Sequence, residues 1–328
     1  MKKGVISRTF EEAITNWLMS LLEQGKSKEE AERIFDDNIQ HIMKKSIEDM
    51  ADDMIDELTK TMNDALVTKR RSDEEFLLHN IEKWGKGFDA FEAMYLISVE
   101  SAEKCCEHAS SLPEEDKRKK HYTFTAIQHL HGRSCQMFME ILCLLRNGFA
   151  DGAYARWRSL FEVTVIAQFI VEKGEEVAKA YCESIDKVSN FEWARLAFPN
   201  KSIKSSVSFK EINDVIEESS YEWYSQYKLG CKLVHGCPQG TFKRLSNYEG
   251  MSPCIPVGRS DYGLSVPAEH SAIMLSRVAI NFLTIFPNMD NLVEARVMLK
   301  WTKIIQKHFY SVEYLEHGRT EFKSFAEE

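Results

Sequence analysis

Apolar residues return every three to five positions along the first third of the chain: Phe35, Ile39, Ile42, Ile47, Met50, Met54, Leu58 and Met62. That spacing follows one face of an α-helix, whereas a half-buried strand alternates every second residue. It predicts one long amphipathic helix over 28–66, and no proline occurs before Pro113 to interrupt it. Ser27 followed by Glu30, and Ser72 followed by Glu75, fit the capping box. In that motif hydroxyl and carboxylate reciprocally satisfy free N–H groups of the first turn. Gly25 closes a first helix from about residue 7. Separate helices are predicted over 73–83 and over 88–110, the latter carrying Phe91, Tyr95, Val99 and Ala102.

The run from Ser111 to Glu114 caps a helix that turns strongly apolar from Phe124 and stops at Arg146-Asn147-Gly148. Gly148 suits the left-handed residue that follows a last turn. Asp151 is the predicted cap of a helix over 152–173, ended by Gly174. Helices follow over 175–198, 209–219 and 221–235, with two closing helices over 269–285 and 290–325. Between 236 and 267 the texture changes, with four of the seven prolines and five glycines. This predicts a long loop with at most a short hairpin over 255–266; long ordered loops in compact domains are often functional. The fold class is therefore all-α: a helical bundle with a long N-terminal amphipathic helix and one long Pro/Gly-rich loop. Two regions are expected, an acidic helical one over 1–120 and a core over 121–328.

Composition refines this picture without changing it. Of the 328 residues, 44% are hydrophobic and 28% charged, enough apolar material for a sizeable core. The most apolar runs, 163–171 and 273–286, are broken by Thr164, Gln168, Ser276, Arg277 and Asn281, so no membrane span is expected. The first residues carry Lys2 and Lys3 but no apolar run behind them, so a cytoplasmic protein is expected. Its eight cysteines then read as thiols; none forms a CxxC pair, and no metal or cofactor is expected. Cys135, Cys143 and Cys182 sit in apolar stretches and are expected in the core.

Net charge is −9, concentrated at the start: residues 1–66 hold 9 Lys plus Arg against 15 Asp plus Glu. Overall acidity argues against broad coating of nucleic acid, while leaving room for a local basic site. The acidic face of 28–66 (Glu48, Asp49, Asp52, Asp53, Asp56 and Glu57) reads either as a solvated face or as a docking surface for a protein partner.

No phosphate-cradling glycine loop, GxSxG elbow, HExxH pair or EF-hand loop is present. Two segments stand out. In the first, Arg146 to Glu162, Arg158 and Glu162 stand one turn apart between very apolar neighbours. They read either as a pair that fixes helix packing or, through Arg156 or Arg158, as part of an anion site. In the second, Tyr224 to Gly236, Lys228, Lys232 and His235 share one helical face with Tyr224 beside them. They read either as cations facing the negative helix end or as a catalytic, phosphate-binding cluster. His129 and Arg133 read as a satisfied core pair, and Trp157, Trp193 and Trp223 as packing residues.

Taken together, the segment 146–162 and the run Tyr227-Lys-Leu-Gly-Cys-Lys-Leu-Val-His-Gly236 resemble an uncharacterised family of bacterial helical proteins distantly similar to HEPN domains. The similar region is about 122–286. HEPN domains are helical bundles that often dimerise, and many are metal-independent ribonucleases of toxin–antitoxin or phage-defence systems. Their signature is an Arg followed by a His on one helix; here the His is His235, while Lys228 or Lys232 stands upstream in place of the Arg. The resemblance implies binding of RNA or a nucleotide, possible cleavage, and a homodimer. His235 and Lys232 would carry catalysis, and Lys228, Tyr224, Arg156, Arg158 and Glu162 would hold substrate. The rival classes are a non-enzymatic helical interaction module and a small-ligand sensor.

Overall fold

The computed structural model describes residues 5–186, 191–202, 205–216, 221–235, 237–242, 245 and 258–316. Among the described residues every regular element is helical and no strand occurs. They form two compact units, Met1–Glu75 and Phe76–Glu328.

The first unit holds α1 (Val5–Glu23) and the beginning of α2 (Lys28–Ser111). Gly25 between them has φ +80°, the left-handed conformation that glycine adopts without penalty. The predicted capping box is formed: the Glu30 N–H donates to Ser27 Oγ at 3.2 Å, and the Ser27 N–H donates to Glu30 Oε2 at 3.4 Å. Trp17 of α1 meets Phe35 of α2 with ring centroids 5.9 Å apart. Farther along α2, every residue over 51–72 is exposed.

The helices expected over 28–66, 73–83 and 88–110 are one element, so the Ser72 start is not used. Gly85 and Gly87 cost a helix interior about 1 kcal/mol each relative to Ala, but packing outweighs that cost. Trp84, Phe88, Phe91 and Met94 are fully buried around them. Gly87 itself is required by close approach, since a Cβ there would lie 2.9 Å from the Phe309 ring. Because these residues join the main core, the unit boundary falls well before residue 120.

The second unit continues with α3 (Glu114–Lys119), α4 (His121–Arg146), α5 (Ala150–Lys173), α6 (Glu175–Cys182), a 3-10 turn (Glu192–Ala197), α7 (Phe209–Asp214), α8 (Tyr221–Val234), α9 (Pro238–Phe242), α10 (Ser265–Leu283) and α11 (Met289–Glu316). Helices α4, α5 and α10 pack against one another at its centre, α11 lies along α10, and α8 lies on α5. The helix expected over 175–198 is split into α6 and the 3-10 turn, and the one over 209–219 ends at Asp214. In the 236–267 segment, α9 is helical, 258–264 is irregular and α10 begins at Ser265 where the hairpin was expected to end; 255–257 lie outside the described residues. The end expected at 325 also lies outside them.

Two devices set the corners. Glu175, the first residue of α6, caps α4 from a distance. Its carboxylate accepts from the N–H groups of Tyr122 (2.7 Å) and Thr123 (3.0 Å) and from Thr123 Oγ1 (2.7 Å). At the α4–α5 corner Gly148 has φ +71°, and a Cβ there would meet the Ser260 carbonyl at 2.7 Å. The cap expected of Asp151 is not made: Phe149 stands at the N-cap, and Asp151 accepts from the Leu245 N–H at 2.8 Å. Ser260 N–H donates to the Gly148 carbonyl at 3.0 Å, and Lys83 holds Asp261 at 2.8 Å, so the tail of the long segment is pinned to the core. The apolar faces of α4 and α5 are buried within this unit. Among the described residues no helix is long and apolar enough to cross a membrane.

Candidate functional site

Helix α8 presents two adjoining stripes. Its inner stripe rests on α5 because Gly230 is small: a Cβ there would already lie 3.3 Å from Arg158 Cβ. Arg158 and Glu162 form the expected pair, at 3.4 Å. Tyr227 adds its hydroxyl to Glu162 at 2.7 Å, and Arg158 Nη1 reaches Cys231 Sγ at 3.6 Å while its guanidinium stands over the Tyr227 ring. Burial, followed by the Glu162 acceptor, pushes the Tyr227 hydroxyl well above its ordinary range. Tyr154 fastens the helix a turn away, donating to Gln226 Oε1 at 2.7 Å. This is the structural reading of the Arg158–Glu162 pair, enlarged by an aromatic partner.

The outer stripe holds Tyr224, Lys228, Lys232 and His235. The two lysines and the histidine are exposed. Lys228 Nζ stands 4.9 Å from the centre of the Tyr224 ring, which stacks on Tyr227 at 5.7 Å. Among the described residues no carboxylate forms an ion pair with Lys228, Lys232 or His235. The helix closes with His235 N–H on the Cys231 carbonyl at 3.1 Å, and Cys237 Sγ returns to the Lys232 carbonyl at 3.2 Å. Gly236 lies outside the described residues.

Arg156 does not join this group. It points toward α4 and pairs with Glu140. Residues two apart on a helix face different ways, so Arg156 and Arg158 serve different neighbours. The predicted set thus divides three ways: Arg158 and Glu162 under α8, four residues along its outer stripe, and Arg156 elsewhere. Sequence reasoning missed Tyr227 and Cys231 as partners of Arg158. The available signal was Gly230, a mid-helix glycine whose usual reason is close packing.

A concavity of about 610 Å³ opens between α2, α4 and α10, lined by Tyr95, Val99, Cys106, Gln128, His131 and Phe282 among others. His131 and not His129 is the core histidine of α4; His129 and Arg133 are both exposed, contrary to expectation. Ile127, Leu130, His131, Ser134, Cys135 and Phe138 share the inward stripe, and His131 is in phase with it. Its Nε2 lies 2.9 Å from Ser98 Oγ, and burial pushes the imidazole down to about 4. Ser98 is itself buried, so this pair cannot present a nucleophile to a substrate. Cys135 is buried as expected and its thiol is pushed up to about 11 by desolvation, whereas Cys143 is exposed. Among the described residues no three His, Cys, Asp or Glu side chains are arranged to hold a metal ion.

No curated protein and no solved structure matches the chain. Residues 124–222, from the first turn of α4 to the start of α8, are similar to a family of unknown function, DUF5677; the stretch contains Arg156, Arg158 and Glu162 and ends just before Tyr224.

Proposed function

We propose that this protein binds RNA through the outer stripe of α8, and that His235 equips the stripe for phosphodiester cleavage. One observation carries the reading: Lys228, Lys232 and His235 line an exposed stripe beside an aromatic ring, with no described carboxylate neutralising them, in a chain of net charge −9. Successive cations one turn apart, roughly 6 Å along the axis, suit a phosphate backbone rather than a single anion. Tyr224 offers a face on which a base can stack. In cleavage, His235 takes the proton of the ribose 2′-hydroxyl, whose oxygen bonds to phosphorus. The P–O5′ bond breaks, and the 5′ oxygen takes a proton from water. The products are a 2′,3′-cyclic phosphate and a 5′-hydroxyl, and Lys232 stabilises the charge that builds on the phosphoryl oxygens.

The test is binding of single-stranded RNA followed by fluorescence anisotropy across a salt series. Replacing Lys228 and Lys232 together by Ala should weaken binding and flatten the dependence of log K on log salt by about 0.7 for each phosphate that is no longer neutralised. Binding that ignores the double substitution would overturn the assignment of the stripe. His235→Ala should lower cleavage by about 10²–10⁴-fold with binding retained; full cleavage by that variant removes His235 from the chemistry. A second reading, a helical interaction module, is favoured by the exposure of every residue over 51–72.

A further inference from the structure

Isolated helices in water draw little stability from propensity alone; most natural helices hold their shape by burying an apolar stripe. The middle of α2 has such a stripe and buries none of it. Ile47, Met54, Ile55, Leu58, Met62 and Leu66 are all more than 40% exposed, and no side chain over 51–72 is covered. The stripe has a regular period. Ile47, Ala51, Met54 and Ile55 are repeated eleven positions later by Leu58, Met62, Ala65 and Leu66. An eleven-residue repeat keeps apolar positions on one nearly straight seam, the requirement for two helices to stay in register along their length.

Charge decides what covers the seam. Residues 48–57 hold six acids and no base: Glu48, Asp49, Asp52, Asp53, Asp56 and Glu57. Residues 60–71 hold Lys60, Lys69, Arg70 and Arg71 against the single acid Asp64. Among the described residues only Lys69 of these groups has an ion-pair partner, Asp73. A helix that is acidic in one half and basic in the other is complementary to a reversed copy of itself, and repels a parallel copy.

We propose that residues 43–72 of α2 form an antiparallel two-helix coiled coil with a second copy of this chain. With the two-fold axis beside Lys60, Met54 faces the partner's Leu66 and Leu58 faces the partner's Met62. On the same flank of the pair, Arg70 falls between the partner's Glu48 and the partner's Asp52. The dimer uses surface that the main core leaves free, and it is independent of the RNA reading.

Sedimentation velocity of the full chain at micromolar concentration should show a dimer. Leu58→Asp with Met62→Asp should give a monomer whose near-UV circular dichroism is that of the wild type. Arg70→Glu alone, and Glu48→Lys with Asp52→Lys, should each weaken dimerisation about tenfold or more by setting like charges together. Combining all three substitutions should restore it, because each swapped charge then meets a swapped partner. A monomeric wild type overturns the proposal. So does a dimer that survives Leu58→Asp with Met62→Asp. A combined variant that fails to recover overturns the antiparallel arrangement.

Discussion

His131 shows how one residue's environment sets its chemistry. Its ring is buried beside Ser98 and Cys135 and is held neutral, with its pKa pushed down to about 4. In the unfolded chain a histidine titrates near 6.5. As pH falls through 6.5, the unfolded state takes up a proton that the folded state refuses until about 4. The stability is therefore fully present above the unfolded value and drains away across that window as pH falls. His270, pushed down to about 4 by burial among Tyr154, Trp157 and Trp223, adds in the same direction. Urea denaturation of wild type and His131→Gln should show it. Between about pH 7 and 5 the variant should lose on the order of 2 kcal/mol less stability than wild type, whatever its starting value. Equal losses would mean that His131 takes up its proton in the fold as readily as in the unfolded chain.

Among the elements, α4 depends on a residue outside itself. It has no side-chain cap at Lys120, and Glu175 supplies what is missing across 52 residues of sequence. Glu175→Ala should cost about 1–2 kcal/mol by leaving N–H groups of Tyr122 and Thr123 unpaired. Glu175→Gln should recover part of it, and thermal unfolding of both variants checks the order. An alanine variant as stable as wild type would show that water serves those groups equally well. The capping box at Ser27 was legible because its partners are three residues apart; the Glu175 cap was not, because its partners meet only in space. Ser72 offered the same local signal as Ser27, yet the burial of Trp84 and Phe88 carries α2 straight through it. Local capping is worth about 1 kcal/mol, less than burying two large aromatic side chains.

For the molecule as a whole, the continuous core begins at Trp84 and ends at Phe309, so no described residue before 76 contributes to it. A chain starting at residue 76 should keep the main thermal transition to within a few degrees, because each kcal/mol of core stability moves the midpoint by only about 2–4 °C in a domain of this size. It should also be monomeric, since it lacks the seam over 43–72. Loss of cooperative unfolding in the shortened chain would show that the first unit supports the core.

Periodicity, capping residues and the late onset of proline determined by themselves that the chain is helical, where α1, α5 and α10 broadly lie, and that Lys228, Lys232 and His235 share a face. These are properties of spacing along one helix, and a helix's geometry is the same wherever it packs. Tertiary structure alone decided that three predicted helices are one, that His131 and not His129 is buried, and that Arg156 and Arg158 part company. It also decided that Arg158 rests on Tyr227 and Cys231. Each of these depends on which face of one helix meets another, and a pairing between distant residues leaves no regular interval in the sequence to read.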